Sequence, residues 1–162
     1  MEQIYEKTNF VMSALTSRII GCAIKVHKAL GPGYEEAYYQ KALIIELIAA
    51  GLNVKREVEF DVYYEGQQLG TKRVDLVVED CLVELKAKKG LDELDAAQVV
   101  SYLKASGYPL ALLINFGGVK VQTKRFANTL GRCLRQTIQE ASAPHTLQRL
   151  SDSENKEPTC PR

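Results

Sequence analysis

Three charged residues fall at alternate-residue spacing in a stretch that is otherwise apolar: Asp75, then Glu84 and Lys86 within "VELKA". If Glu79 and Asp80 are the two loop residues of a hairpin, Val78 faces Cys81, Val77 faces Leu82, Leu76 faces Val83, and Asp75 faces Glu84. The pair Glu79-Asp80 lacks the glycine that usually marks so tight a turn. Two carboxylates directly opposed across strands are destabilising, by roughly 0.2–1 kcal/mol even when exposed, and burial under helices raises that cost. A divalent cation bridging both would offset it, and hard oxygen ligands suit Mg²⁺ or Mn²⁺. Alternation puts Lys86 on the face of Glu84, while Val83, Leu85 and Ala87 point to the core. A competing reading needs no chemistry: Lys86 neutralises one carboxylate in a salt-bridged sheet face.

These residues require strands held by helices. Val11, Leu15, Ile19, Cys22, Val26 and Leu30 form a helical stripe that "LGPG" terminates. A second helix runs from near Tyr34 to a C-cap at Gly51 and, with "ALIIELIAA" apolar on nearly every side, is expected to be buried. The period then changes to two at Val54, Val58, Phe60, Val62 and Tyr64, with further strands at 68–78 and 81–87. Asp92 is a suitable N-cap for a helix through Ala105. "PLALLINF" reads as a buried strand, and Phe126 to Gln139 as a last helix. The expected architecture is α/β, a mixed sheet flanked by helices in the order α-α-β-β-β-α-β.

The chain has 162 residues, 46% hydrophobic and 25% charged, enough for one domain with a core of its own. We expect that domain to span residues 1–140. Residues 141–162 are polar, rich in Ser, Pro and Glu, and expected to form a disordered tail. The net charge of +1 supplies no bulk attraction for nucleic acid. Any basic track must be local, and Lys120, Lys124, Arg125, Arg132 and Arg135 serve equally well as a solvated helix face. The four cysteines form no C-x-x-C pair; Cys22, Cys81 and Cys133 lie in apolar segments, as small buried hydrophobes would in a reducing cytoplasm. No signal peptide and no run long enough to span a bilayer is expected. A phosphate loop is absent, since "GPG" lacks the following Gly-Lys-Ser/Thr.

Asp75 followed after eight residues by "ELK" resembles the signature of the PD-(D/E)XK nuclease superfamily, and Gly33-x-x-Glu36-x-x-Tyr39 resembles that of its GxxExxY family. "VHKALGPG", "RVDLVVED", "AAQVVSYLK" and "LLINFG" extend the similarity over about residues 10–128. The resemblance implies a restriction-endonuclease-like core and a metal-dependent nuclease acting on nucleic acid, with DNA as the expected substrate. It implies that Asp75 and Glu84 hold the metal, that Glu36 is a further metal or water ligand, and that Lys86 orients water and stabilises charge. Gln98 matches the glutamine of the following helix. From the residues themselves, Glu36 equally suits a first helical turn, and Gln98, one turn from Tyr102, equally suits a polar helix surface. His27, beside the apolar stripe, reads as a helix-surface or capping residue, and Tyr39 as a packing residue. The alternative function is a catalytically silent module that binds nucleic acid or protein.

Overall fold

The computed structural model describes the backbone of residues 2–128 and the side chains of residues 13–128. The elements are α1 (Glu2–Leu30), α2 (Glu36–Ala49), β1 (Val54–Tyr64), β2 (Gln67–Val78), β3 (Cys81–Lys86), α3 (Glu93–Ser106), β4 (Leu110–Asn115) and β5 (Gln122–Ala127). The five strands lie in the order β1-β2-β3-β4-β5. Only β3 and β4 are parallel, and α3 is the crossover between them.

Helices cover both faces. On one side Ile19, Ala23 and Val26 of α1 and Tyr39, Leu43 and Leu47 of α2 pack on Leu76, Val78, Val83, Leu85, Leu112 and Ile114. On the other, Val99, Tyr102 and Leu103 of α3 pack on Val74, Val77, Leu82, Ala111 and Leu113. β4, buried at every position, carries an unbroken apolar run because both its faces are covered.

Helix ends follow local chemistry. Asp92 caps α3 in a reciprocal capping box with Asp95. After α2, Gly51 takes φ 70°. Its amide donates to Ile48 O at 2.9 Å and that of Leu52 to Leu47 O at 3.0 Å, a Schellman closure.

Two sequence expectations are corrected. α2 is not buried all round: Tyr38, Ile45 and Ile48 are exposed, because α2 lies in an outer layer and touches the core through one stripe only. Phe126 and Ala127 do not open a helix; they end β5, an edge strand whose single core contact is Phe126. The remainder of that expected helix, the tail from Ala141, Cys133, Arg132 and Arg135 lie outside the described residues.

Candidate active site

The hairpin register comes first. Val78 pairs with Cys81, Val77 with Leu82 and Leu76 with Val83, as a two-residue turn at Glu79-Asp80 requires. Glu79 adopts φ 51° without being glycine. Its carboxylate accepts from Asn53 N at 2.9 Å and Asn53 Nδ2 at 3.1 Å, and its amide donates to Asn53 O at 3.0 Å. Those bonds hold the strained residue in place.

Beyond Leu76 the β2–β3 ladder stops, and Asp75 stands at the fork. Strict alternation breaks here: Val74 and Val77 face α3, whereas Leu76 and Val78 face the other layer. In β1 the pairing skips Glu57, between Arg56↔Leu76 and Val58↔Val74, and Glu57 has φ 48°. At this irregularity the Asp75 carboxylate turns to β3, and Oδ2 accepts from Leu85 N at 2.8 Å. Gln40 of α2 donates to Asp75 O at 3.4 Å.

Glu84, only 5% exposed, points to the α3 side with Leu82. Lys86 Nζ donates to Glu84 Oε1 at 2.8 Å. Glu84 Oε2 is buried and has no hydrogen-bond partner among the described residues. Burial, and then the charge of Asp75, pushes the Glu84 carboxyl up to about 7 against the pull of Lys86. Burial likewise raises Asp75, with the Leu85 amide opposing. Lys86 is raised: burial alone would lower it, but the Glu84 bond and the charges of Glu84, Glu36 and Asp75 prevail.

Glu36 opens α2 and is half-buried. Burial and then Asp75 raise its pKa, and the charges of Lys86 and Asp95 also reach it. Gln98 donates to the Tyr102 hydroxyl at 2.5 Å, and that phenol, raised chiefly by burial, lies in the field of Glu84, Lys86 and Asp75. Asp75, Glu84, Lys86, Glu36 and the Gln98–Tyr102 pair therefore gather at one end of the sheet.

Among the described residues no three His, Cys, Asp or Glu side chains form a closed metal-ligand cluster. The residues present nevertheless fit a hard divalent cation. A buried, orphaned carboxylate oxygen is the group such an ion satisfies, and the neighbouring donors, Asp75 and Glu36, are also oxygen ligands.

Several supporting residues escape the sequence reading. Asn115, fully buried at the end of β4, clamps the loop after β3. Its Oδ1 accepts from Lys88 N at 3.0 Å and Gly117 N at 3.1 Å, and its Nδ2 donates to Lys88 O at 2.8 Å and Gln122 Oε1 at 3.0 Å. Lys88 Nζ reaches Asp92 and the buried Asp95, each at 2.6 Å. Lys88 thus ties α3, which carries Gln98, to the strand that carries Lys86. The legible signal was a lone amide inside the apolar "ALLINF".

His27 is buried, with Nε2 2.9 Å from Gly118 O. Tyr39 is fully buried, stacks on Phe116 with centroids 4.6 Å apart and donates to Gly31 O at 2.6 Å. Tyr39 packs as expected, whereas His27, expected on the helix surface or at a cap, is buried against the Gly118 carbonyl. Cys81 is buried, its thiol pushed up to about 12, and inert; Cys22 is half-buried. A groove of about 350 Å³ between α1 and α2, lined by Arg18, Cys22, Lys25 and Glu46, includes none of the gathered carboxylates.

A mixed five-stranded sheet in this order, flanked by helices, is that of a restriction-endonuclease-like α/β fold, and sequence comparison agrees with it. The PD-(D/E)XK nuclease superfamily matches over residues 13–126, and the chain belongs to that superfamily. No curated protein matches the chain. Among solved structures, the crystal structure of SSO0001 is similar, with TM-score 0.47 and 17% identity, covering 67% of this chain and 59% of that one. The chain thus spans well under two thirds of that protein's length. No helix among the described residues is long and apolar enough to cross a membrane.

Proposed function

We infer that this protein is a metal-dependent nuclease of the GxxExxY type, hydrolysing phosphodiester bonds in nucleic acid, with DNA as substrate and Mg²⁺ or Mn²⁺ as cofactor. The observation that carries this reading is Glu84: nearly buried, with one oxygen held by Lys86 and the other unpartnered, beside Asp75. A salt-bridged sheet face would satisfy both oxygens. The Gly33-x-x-Glu36-x-x-Tyr39 signature supports the finer family assignment, because Glu36 reaches the same site.

Asp75, Glu84 and Glu36 would hold the cation, which when bound supplies Lewis acidity and a more acidic water. The Leu85 amide fixes the Asp75 carboxylate in direction. Lys86 presents a preorganised positive charge to the non-bridging phosphate oxygens, where charge grows in the transition state. Its bond to Glu84 keeps the ammonium protonated and aimed. Gln98, braced by Tyr102, would orient water or the scissile group. The free thiols of Cys22 and Cys81 suit the reducing cytoplasm.

The test is incubation with end-labelled single- and double-stranded DNA and RNA, with Mg²⁺, Mn²⁺ or chelator. Cleavage that depends on the divalent ion is expected. Its absence from every substrate would leave a nuclease-like fold without turnover.

A further inference from the structure

β2 outruns its partner. The β2–β3 ladder ends at Leu76↔Val83, whereas β1 and β2 stay paired from Val58↔Val74 out to Tyr64↔Gln67. Residues 58–74 therefore form a two-stranded arm that begins at Asp75 and leaves the body on the site's side of the sheet. Its base is anchored on α3, where Phe60 meets Tyr102 edge-on with centroids 5.6 Å apart. At ~3.3 Å per residue, the tip lies roughly 25 Å along β2 from Asp75.

The tip is built unlike the base. Register shifts between Val62 and Tyr63, leaving Leu69 as the extra residue, a bulge of the kind that re-aims a side chain. Tyr63, Tyr64 and Leu69 are 62%, 66% and 67% exposed. Rings this exposed at a hairpin tip lie outside both core clusters. Nor is the arm an electrostatic track: over residues 58–74 the cations Lys72 and Arg73 meet the acids Glu59, Asp61 and Glu65. What the tip offers is ring faces and the amides of Gln67 and Gln68, which suit bases rather than phosphates.

We propose that the arm grips an unpaired nucleic-acid strand running from the carboxylate site, with Tyr64, on the face of Phe60, and Tyr63, on the opposite face, as stacking platforms on its two sides. The proposal rests on the nuclease reading and narrows its substrate to nucleic acid with single-stranded character. Stacked bases are available only where the strand is not already paired. At ~3.4 Å per stacked nucleotide, roughly seven nucleotides separate tip and site.

The test is binding of fluorescein-labelled 20-nucleotide oligo(dT), a 4-nucleotide oligo(dT) and a 20-base-pair duplex, read by anisotropy in chelator, so that no turnover intervenes. The unmutated chain is compared with Tyr63→Ala/Tyr64→Ala and Tyr63→Phe/Tyr64→Phe. The alanine pair should weaken 20-nucleotide binding at least tenfold. The phenylalanine pair should retain it, and 4-nucleotide and duplex binding should change little. Unchanged affinity of the alanine pair for the 20-mer overturns the proposal, even if cleavage is intact. So does failure of the unmutated chain to bind the 20-mer, or a dimer in sedimentation that the alanine pair dissociates without altering DNA affinity. Binding with the expected pattern but no cleavage in Mg²⁺ or Mn²⁺ leaves the arm standing and sinks the hydrolytic reading instead.

Discussion

Asp75 completes with its side chain a ladder that its backbone abandons: the Leu85 amide, in β3, donates to Asp75 Oδ2 at 2.8 Å just past the last backbone pair, Leu76↔Val83. The acid is therefore oriented by the strand that carries Glu84 and Lys86.

Asp75→Asn keeps an acceptor oxygen for the Leu85 amide and removes the charge. Its melting temperature should stay close to that of the unmutated protein, while calorimetric Mn²⁺ binding weakens. Asp75→Ala strands the amide of the fully buried Leu85 and should also lose about 1–3 kcal/mol of stability. Equal Mn²⁺ affinity in Asp75→Asn and the unmutated protein would remove Asp75 from the ligand set.

The pH dependence follows from Glu84, raised from 4.5 to about 7. In the folded state it holds its proton to higher pH than in the unfolded chain, so this contribution is full below about 4.5 and lost as pH rises through about 7. Asp75 and Glu36 shift in the same direction. In chelator, melting temperature should fall from pH 5 to pH 8. Mn²⁺ should reverse the fall at pH 8 and do little at pH 5, since it competes with protons for these carboxylates. A flat profile in chelator would mean that Glu84 is solvated.

The register next to the hairpin turn was legible because it is local, but the expected Asp75–Glu84 pair is not part of the ladder, which ends at Leu76↔Val83. A two-residue turn determines which residues face each other, and the alternating apolar residues select the buried face. The kink at Asp75 was not legible, since it depends on Glu57 in another strand adopting φ 48°. Strand β5 went unseen for a different reason. An edge strand that packs through Phe126 alone has no alternating apolar signature, and its last two residues read as the opening of a helix. The exposure of Ile45 and Ile48 on α2 likewise follows from which layer the helix joins, and composition is silent on that.

The Asn115 clamp, reaching 27 residues back to Lys88, was signalled only by a lone amide in an apolar strand, and it makes its own prediction. Asn115→Ala leaves the Lys88 amide and carbonyl without partners in a buried setting. The expected loss is on the order of 2–4 kcal/mol, or roughly 5–15 °C in melting temperature. A change within about 1 °C would show that solvent replaces the clamp.

Gly117 supplies a paired control. A Cβ there would lie 2.3 Å from Lys88 O and 2.4 Å from Lys88 N, whereas one at Gly90 meets nothing within 4 Å. Gly117→Ala should cost about 2–3 kcal/mol or abolish folding, and Gly90→Ala should stay within about 0.5 kcal/mol. Thermal melts of the two proteins side by side decide it; equal stability would mean the Lys88 loop does not press on Gly117.

The claim that Asp75, Glu84 and Lys86 form a hydrolytic centre is tested most directly by Lys86→Ala, with cleavage rate, Mn²⁺ binding and melting temperature read on one sample. Lys86 is cationic and cannot be a ligand of the metal, so its part is on the substrate side. Loss of one preorganised charge should lower the rate on the order of 10²–10³-fold, in a protein that still folds and binds Mn²⁺. An unfolded protein would show that Lys86 chiefly neutralises Glu84, and a folded one cleaving at the original rate would contradict the account.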